Sequence, residues 1–249
     1  MARILLLGGT SEASALARKL AKAGADAIFS YAGRTDSPAE QPLPTRIGGF
    51  GGAEGLAAYI RAEKITHLVD ATHPFAAQMS RNALAAAAAT GTPLCSYERA
   101  AWQAEEGDDW THVADIDGAI AALPEEPTHI FLAIGSQHIA AFAAKPWHQY
   151  LLRLVDRPKG KLPLPNAEMV IARGPFSLAD DLKLLKSRRV NLIVAKNSGG
   201  SGARAKLEAA QALHLPVILI ERPQLPPRLI FAHSDEVMRW LGHRADLGV

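Results

Sequence analysis

The sequence has one cysteine, no long apolar run and almost no net charge, and each shortage removes a class of protein. Cys95 cannot form an internal disulfide, and its setting in "TPLCSYE" reads as a strand, so a buried thiol in a reducing cytosol is expected. No stretch approaches the roughly 20 apolar residues of a membrane helix, and the opening "MARILLLGG" has an apolar run far shorter than a secretory one. A cytoplasmic protein without membrane contact is expected. The formal net charge is +2 and no basic stripe accompanies it, which argues against nucleic acid as a partner. The nine histidines lack the Cys/His or His-x-x-x-His spacing of zinc sites, and neither a Gly-x-Ser-x-Gly elbow nor a Walker lysine loop occurs. No metal site is expected, and hydrolysis driven by zinc or ATP loses ground.

What is present is a core and a rhythm. The 249 residues are 48% hydrophobic, enough for one large domain or two small ones. Short apolar runs alternate with Ala/Leu-rich helical patterns, the signature of a parallel sheet with crossover helices. "RILLLGG", "ADAIFSYAG", "THLVDAT" and "TPLCSYE" read as strands, with helices near Glu12 to Ala23, Ala53 to Glu63 and Pro74 to Ala89. The polar stretch "RAAWQAEEGDDW", Arg99 to Trp110, interrupts the pattern and suggests a boundary. The rhythm then resumes with "THIFLAIGS", "YLLRLV", "AEMVIARG", "VNLIVAKNSGG" and "PVILIERP", and with helices near Leu178 to Ser187, Ala203 to Leu213 and Ser234 to Leu241. The expected fold is therefore α/β: two Rossmann-like parallel-sheet domains, residues 1–100 and 101–249, with a cleft between them. No sequence repeat relates the halves.

Ligands of such sheets sit outside the carboxyl ends of the strands. "LLLGGTSEASALARKL" places Gly8, Gly9, Thr10 and Ser11 between strand and helix, where amide groups and the helix dipole can hold a phosphate. The spacing departs from Gly-x-Gly-x-x-Gly, and the plain alternative is a glycine turn with Thr10 or Ser11 as an ordinary N-cap. At the end of the second strand, "SYAGRTDS" puts Arg34 ahead of Asp36, which tips the choice of dinucleotide toward NADP over NAD; the alternative is a solvated loop arginine. "DATHPF" joins a strand to a helix. Pro74 suits the first helical position, so Thr72 or His73 is expected as the cap, while the strand-end location would also let His73 reach a reacting group. In the second half, "VAKNSGGSGARAKL" presents Lys196, Asn197 and Ser198 on a glycine-rich turn able to accept an anion; a plain loop is the alternative. The segment Arg153 to Arg173 is locally basic, which is either a solvated face or a substrate surface.

These motifs, together with "AGRT", "YERAAW", "FLAIGS", "RGPF", "AKLEAA" and "ERP" in the same order, resemble the precorrin-6A reductase family of cobalamin biosynthesis over nearly the whole chain. The resemblance implies a cytoplasmic NADPH-dependent enzyme that reduces one double bond of a contracted tetrapyrrole ring, precorrin-6A to precorrin-6B or the cobalt-containing equivalent. Joined to the residue reading, this puts Gly8, Gly9, Thr10, Ser11, Arg34 and Thr72 at the cofactor, and the resemblance gives Lys196, Asn197 and Ser198, with part of the Arg153 to Arg173 segment, the polycarboxylated tetrapyrrole as a partner. His73 becomes a candidate proton donor, ahead of Tyr97, Lys196 or water. Neighbouring pathway enzymes are conceivable partners. Two other readings use the same residues: an NADP-linked reductase of another conjugated acid, and an NADPH-binding sensor without turnover.

Overall fold

The apolar runs form the central strands of two sheets. In a computed structural model describing residues 2–33, 38–158 and 160–245, the chain divides into a first unit of residues 1–100 and 224–249 and a second of residues 101–223. The first unit contains β1 (Arg3–Leu7), α1 (Ser11–Lys22), β2 (Asp26–Tyr31), β3 (Thr45–Ile47), α2 (Ala53–Ala62), β4 (His67–Asp70), α3 (Ala77–Thr90) and β5 (Leu94–Tyr97). The second contains β6 (Trp110–Val113), α4 (Ile116–Ala121), β7 (His129–Ala133), a 3₁₀ helix (Ile139–Ala144), β8 (Gln149–Leu154), β9 (Ala167–Ile171), α5 (Leu178–Ser187), β10 (Leu192–Lys196), α6 (Ala205–Ala212) and β11 (Val217–Ile220). β12 (Ile230–Phe231) and α7 (Ser234–Ala245) then return to the first.

Both sheets are six-stranded and wholly parallel, in the orders β12-β5-β4-β1-β2-β3 and β6-β11-β10-β7-β8-β9. Helices on both faces bury the strands from two sides, which is why β11 and all of β10 but its final Lys196 read as apolar runs and not as alternation. In the first unit one face of the sheet packs Leu6, Phe29 and Val69 against Leu16, Leu20, Val237 and Leu241 of α1 and α7; the other packs Leu5, Leu7 and Leu68 against Leu56, Ile60 and Ala83 of α2 and α3. In the second, Phe131, Ile193 and Leu219 meet Leu185 and Leu207 of α5 and α6.

Two readings from sequence change here. The C-terminal segment, expected in the second half, belongs to the first sheet: Ile230 and Phe231 pair with Ser96 and Tyr97, and α7 packs on α1. A two-residue strand carries no periodicity, so the return was not legible. The third helix begins at Ala77 and not at Pro74, and its N-cap Ala76 has no side-chain bond. The side chains of Thr72 and His73 are spent on a local turn described below, so neither caps the helix.

Among the described residues, no helix is long and apolar enough to cross a membrane. Cys95 is buried on β5; burial first, then the negative charge of Asp70, pushes its thiol up to about 12. His148, just before β8, is also fully buried, and its Nδ1 accepts the Thr128 N–H at 3.2 Å. Burial, and next the Lys145 ammonium, hold its imidazole below the ordinary value, with smaller opposing effects from the Pro124 carbonyl and Glu125. Well above the ordinary value of about 6.5 the folded and unfolded chains both carry this ring neutral. As pH falls from there toward the depressed folded value, only the unfolded chain takes up the proton, so stability declines by up to about 1.4 kcal/mol per pH unit for one group. Denaturant titrations from pH 7.5 to 5 are expected to show a steeper acid-side loss in the parent than in His148→Gln; equal slopes would contradict the assignment.

Candidate functional site

In an open parallel sheet the crevice lies where the strand order reverses, between β1 and β4 in the first unit. The turn after β1 is built for close approach from outside. Gly8 donates its N–H to the Ser30 carbonyl at 2.9 Å, and a Cβ on Gly8 would stand 2.1 Å from Cζ of Phe29, so a larger residue would force the ring to shift. Gly9 has φ +122°, and a Cβ there would meet nothing within 4 Å: the backbone faces open space. Thr10 caps α1, its Oγ1 accepting the Ala13 N–H at 3.1 Å and donating to the Ala71 carbonyl at 2.9 Å. A glycine turn open to its surroundings and followed at once by a helix N-terminus suits a phosphate.

That Thr10 bond reaches the turn after β4. Asp70 is buried, and its Oδ1 accepts the Thr72 N–H at 3.1 Å and the Thr72 hydroxyl at 2.7 Å. His73 is half-buried; its Nδ1 accepts the Phe75 N–H at 3.2 Å and its carbonyl accepts the Ala76 N–H at 2.7 Å. With Nδ1 as acceptor, the proton of the neutral ring sits on Nε2. Thr10, Glu12, Thr72, Pro74, Tyr97, Glu98 and Arg99 line a small cavity at this switch point. The structure thus brings Gly8, Gly9, Thr10, Ser11, Thr72 and His73 to one edge of one sheet. Arg34 and Asp36 lie outside the described residues. An arginine that the sequence reading passed over is Arg46 on β3, which stacks on Phe50 at 3.8 Å and donates to Ser30 Oγ at 2.8 Å and to the carbonyls of Gly48 and Gly49. Its guanidinium organises the glycine loop beside the end of β2.

The second sheet reverses between β7 and β10. Lys196 closes β10, and the next two residues turn inward. Asn197 is 2% exposed, its Oδ1 accepting the Trp102 N–H at 2.8 Å and its Nδ2 donating to the Trp102 carbonyl at 3.2 Å. Ser198 is buried as well, and Arg222 donates to the carbonyls of both residues. The Asn197 amide is therefore a clamp on the chain at Trp102. By strand order, the "KNSGG" turn corresponds to the one after β4, not to the Gly8–Ser11 turn it resembles in sequence. The counterpart of Gly8–Ser11 is the loop after β7, residues 134–138, where burial and then the Lys196 charge lower the His138 pKa. Of the basic segment, Arg153 is buried, paired with Asp181 and stacked between Phe131 and Phe176 at 4.8 and 4.1 Å. It belongs to the packing and not to a substrate surface. Arg173 lies 4.0 Å from Asp156, and Lys159 is outside the described residues. A larger cavity, about 260 Å³, lies at the amino ends of β7, β8 and β9 among His129, Gln149, Glu168 and Arg188. It is at the edge that α/β sheets leave without ligands, so its size does not locate a site.

The family model described as precorrin-6x reductase CbiJ/CobK matches residues 3–242. The chain belongs to this family. Among its relatives, the precorrin-6A reductase of Rhodobacter capsulatus is 60% identical over 241 residues, covering 97% of this chain and 96% of the relative. That of a Sinorhizobium species is 46% identical, covering 97% and 93%. The cobalt-precorrin-6A reductase of Priestia megaterium is 34% identical, covering 96% and 97%. The solved structure of CobK precorrin-6A reductase has a TM-score of 0.95 at 60% identity, covering 98% of this chain and 97% of its own. In this chain the close packing of the turn after β1 depends on Gly8 lying under Phe29. Gly8→Ala is expected to lower stability by about 1–3 kcal/mol through overpacking against the ring; an unchanged denaturation midpoint would contradict that packing.

Proposed function

We propose that the chain is an NADPH-dependent reductase that converts precorrin-6A to precorrin-6B in cobalamin biosynthesis. The observation that carries this reading is 60% identity to a precorrin-6A reductase over 97% of the chain. Two of the relatives named for precorrin-6A are 60% and 46% identical, against 34% for one named for the cobalt form, which supports the metal-free ring as substrate. Gly8, Gly9, Thr10 and Ser11 would hold the pyrophosphate, Arg34 the 2′-phosphate, and Thr72 would stand beside them. When bound, NADPH supplies a hydride to one end of a ring double bond. The other end takes a proton, for which His73 is the proposed source: its Nδ1 accepts a backbone N–H, which leaves the ring proton at Nε2. Lys196 and the Ser198 turn are the proposed partners for the carboxylates of the macrocycle, while the Asn197 amide holds that turn in place. The protein's contribution is alignment and exclusion of water, with no covalent intermediate required.

Two variants test the assignment. A charge-assisted phosphate contact contributes roughly 1.5 to 3 kcal/mol, about one to two decades of affinity. Arg34→Ala is therefore expected to weaken NADPH far more than NADH; equal losses would remove Arg34 from the 2′-phosphate. In His73→Asn the side-chain oxygen can still accept the Phe75 N–H, because Asn makes the same kind of turn, but the proton donor is gone. Positioned acids contribute about 10² to 10⁴ in rate. The expected variant folds, binds NADPH, and reduces precorrin-6A slower by that range in single-turnover absorbance. A near-normal rate would return proton delivery to solvent.

A further inference from the structure

Glu12 and Arg99 stand 87 positions apart in sequence and meet at the rim of the cavity beside the Gly8–Ser11 turn. Arg99 Nη1 donates to Glu12 Oε2 at 2.6 Å, with the two side chains only 17% and 22% exposed. Ser11 Oγ donates to the same oxygen at 3.0 Å. The other carboxylates at this edge are held elsewhere: Glu98 pairs with Arg228 at 2.6 Å, and Asp70 accepts from Thr72. Glu12 lies in the first turn of α1, where the exposed amides and the helix dipole attract an anion. A carboxylate and a cofactor phosphate at that turn share one positive field and repel each other.

We propose that Arg99 is a positioning residue for the cofactor: it neutralises Glu12 and holds its carboxylate aside, so that a phosphate can take the α1 N-terminus. The inference rests on the reading of Gly8–Ser11 as the NADPH phosphate turn. Arg99 acts through Glu12 and does not itself touch the phosphate. Because the pair is largely shielded from solvent, its net charge is felt at the neighbouring turn with little screening. Affinity for NADPH then follows the charge of the pair and not the presence of arginine.

The test is a charge ladder in the full-length chain, with NADPH dissociation constants from fluorescence titration and a thermal melt for each variant. One unit charge changed within about 10 Å of a phosphate, at an effective dielectric constant near 20, alters affinity by about tenfold. Arg99→Gln, with a net −1 pair, is expected to bind NADPH about tenfold more weakly. Glu12→Gln, with a net +1 pair, is expected to bind more tightly by a similar factor. The double variant, neutral like the parent, is expected to return to within about threefold of it. A double variant as weak as Arg99→Gln would overturn the proposal by making Arg99 a direct ligand, and so would Arg99→Gln binding as well as the parent. Should Arg99→Gln not fold, Glu12→Gln decides alone, since unchanged or weaker binding there contradicts the proposal. Gly9→Val separates the two layers. If it binds NADPH like the parent, the phosphate turn is misplaced and the proposal falls with it; if it loses binding while the ladder stays flat, only the role of Arg99 is lost.

Discussion

One hydroxyl fixes the geometry on which the first unit depends. Thr10 Oγ1 accepts the Ala13 N–H and donates to the Ala71 carbonyl, so it caps α1 and ties that helix start to the exit of β4. Both halves of the bond lie where the strand order reverses. Immediately before Thr10, Gly8 lies under Phe29 and Gly9 faces outward. The helical turn that this cap begins carries Glu12, which meets Arg99. Loss of an N-cap costs about 1 kcal/mol in stability, but here the same atom also aligns two loops.

The second unit solves the same problem with different chemistry. Its strand order matches the first, with β7 and β10 in the places of β1 and β4, and with β6 at the edge that β12 takes in the first. Where the first unit uses a threonine hydroxyl, the second uses the Asn197 amide, which binds both backbone groups of Trp102, and the Arg222 guanidinium, which takes the carbonyls of Asn197 and Ser198. Buried polar groups of this kind are costly unless fully paired, and these are paired. The turn that carries Lys196 is thus held by groups that need not meet a ligand themselves.

The central strands were legible because burial on both faces writes them as plain apolar runs. The edge strands were not: β3 has three residues and β12 two, too few for a period, and Ile47 and Ile230 at those edges are 60% and 48% exposed. The resemblance of the two sheets left no trace in sequence, since strand order is a property of pairing and not of composition. At the site, glycine, threonine and histidine at strand ends were visible, but the use of each side chain was not. His73 and Thr72 looked like caps because Pro74 follows, and the Asp70 carboxylate diverts one of them. Arg153 looked like a surface charge until its aromatic neighbours and Asp181 were in place. Glu12 and Arg99 lie 87 positions apart, and only the fold joins them.

The account stands on the carboxyl edge of β1 and β4 being the dinucleotide site. The most direct measurement is a crystal structure of the chain soaked or grown with NADP⁺, reading the distances from the pyrophosphate oxygens to the backbone nitrogens of Gly9, Thr10 and Ser11. Hydrogen-bonding distances of about 2.7–3.2 Å to at least two of them are the expected result. A pyrophosphate seated instead on the turn after Lys196, with the Gly8–Ser11 turn untouched, would contradict it.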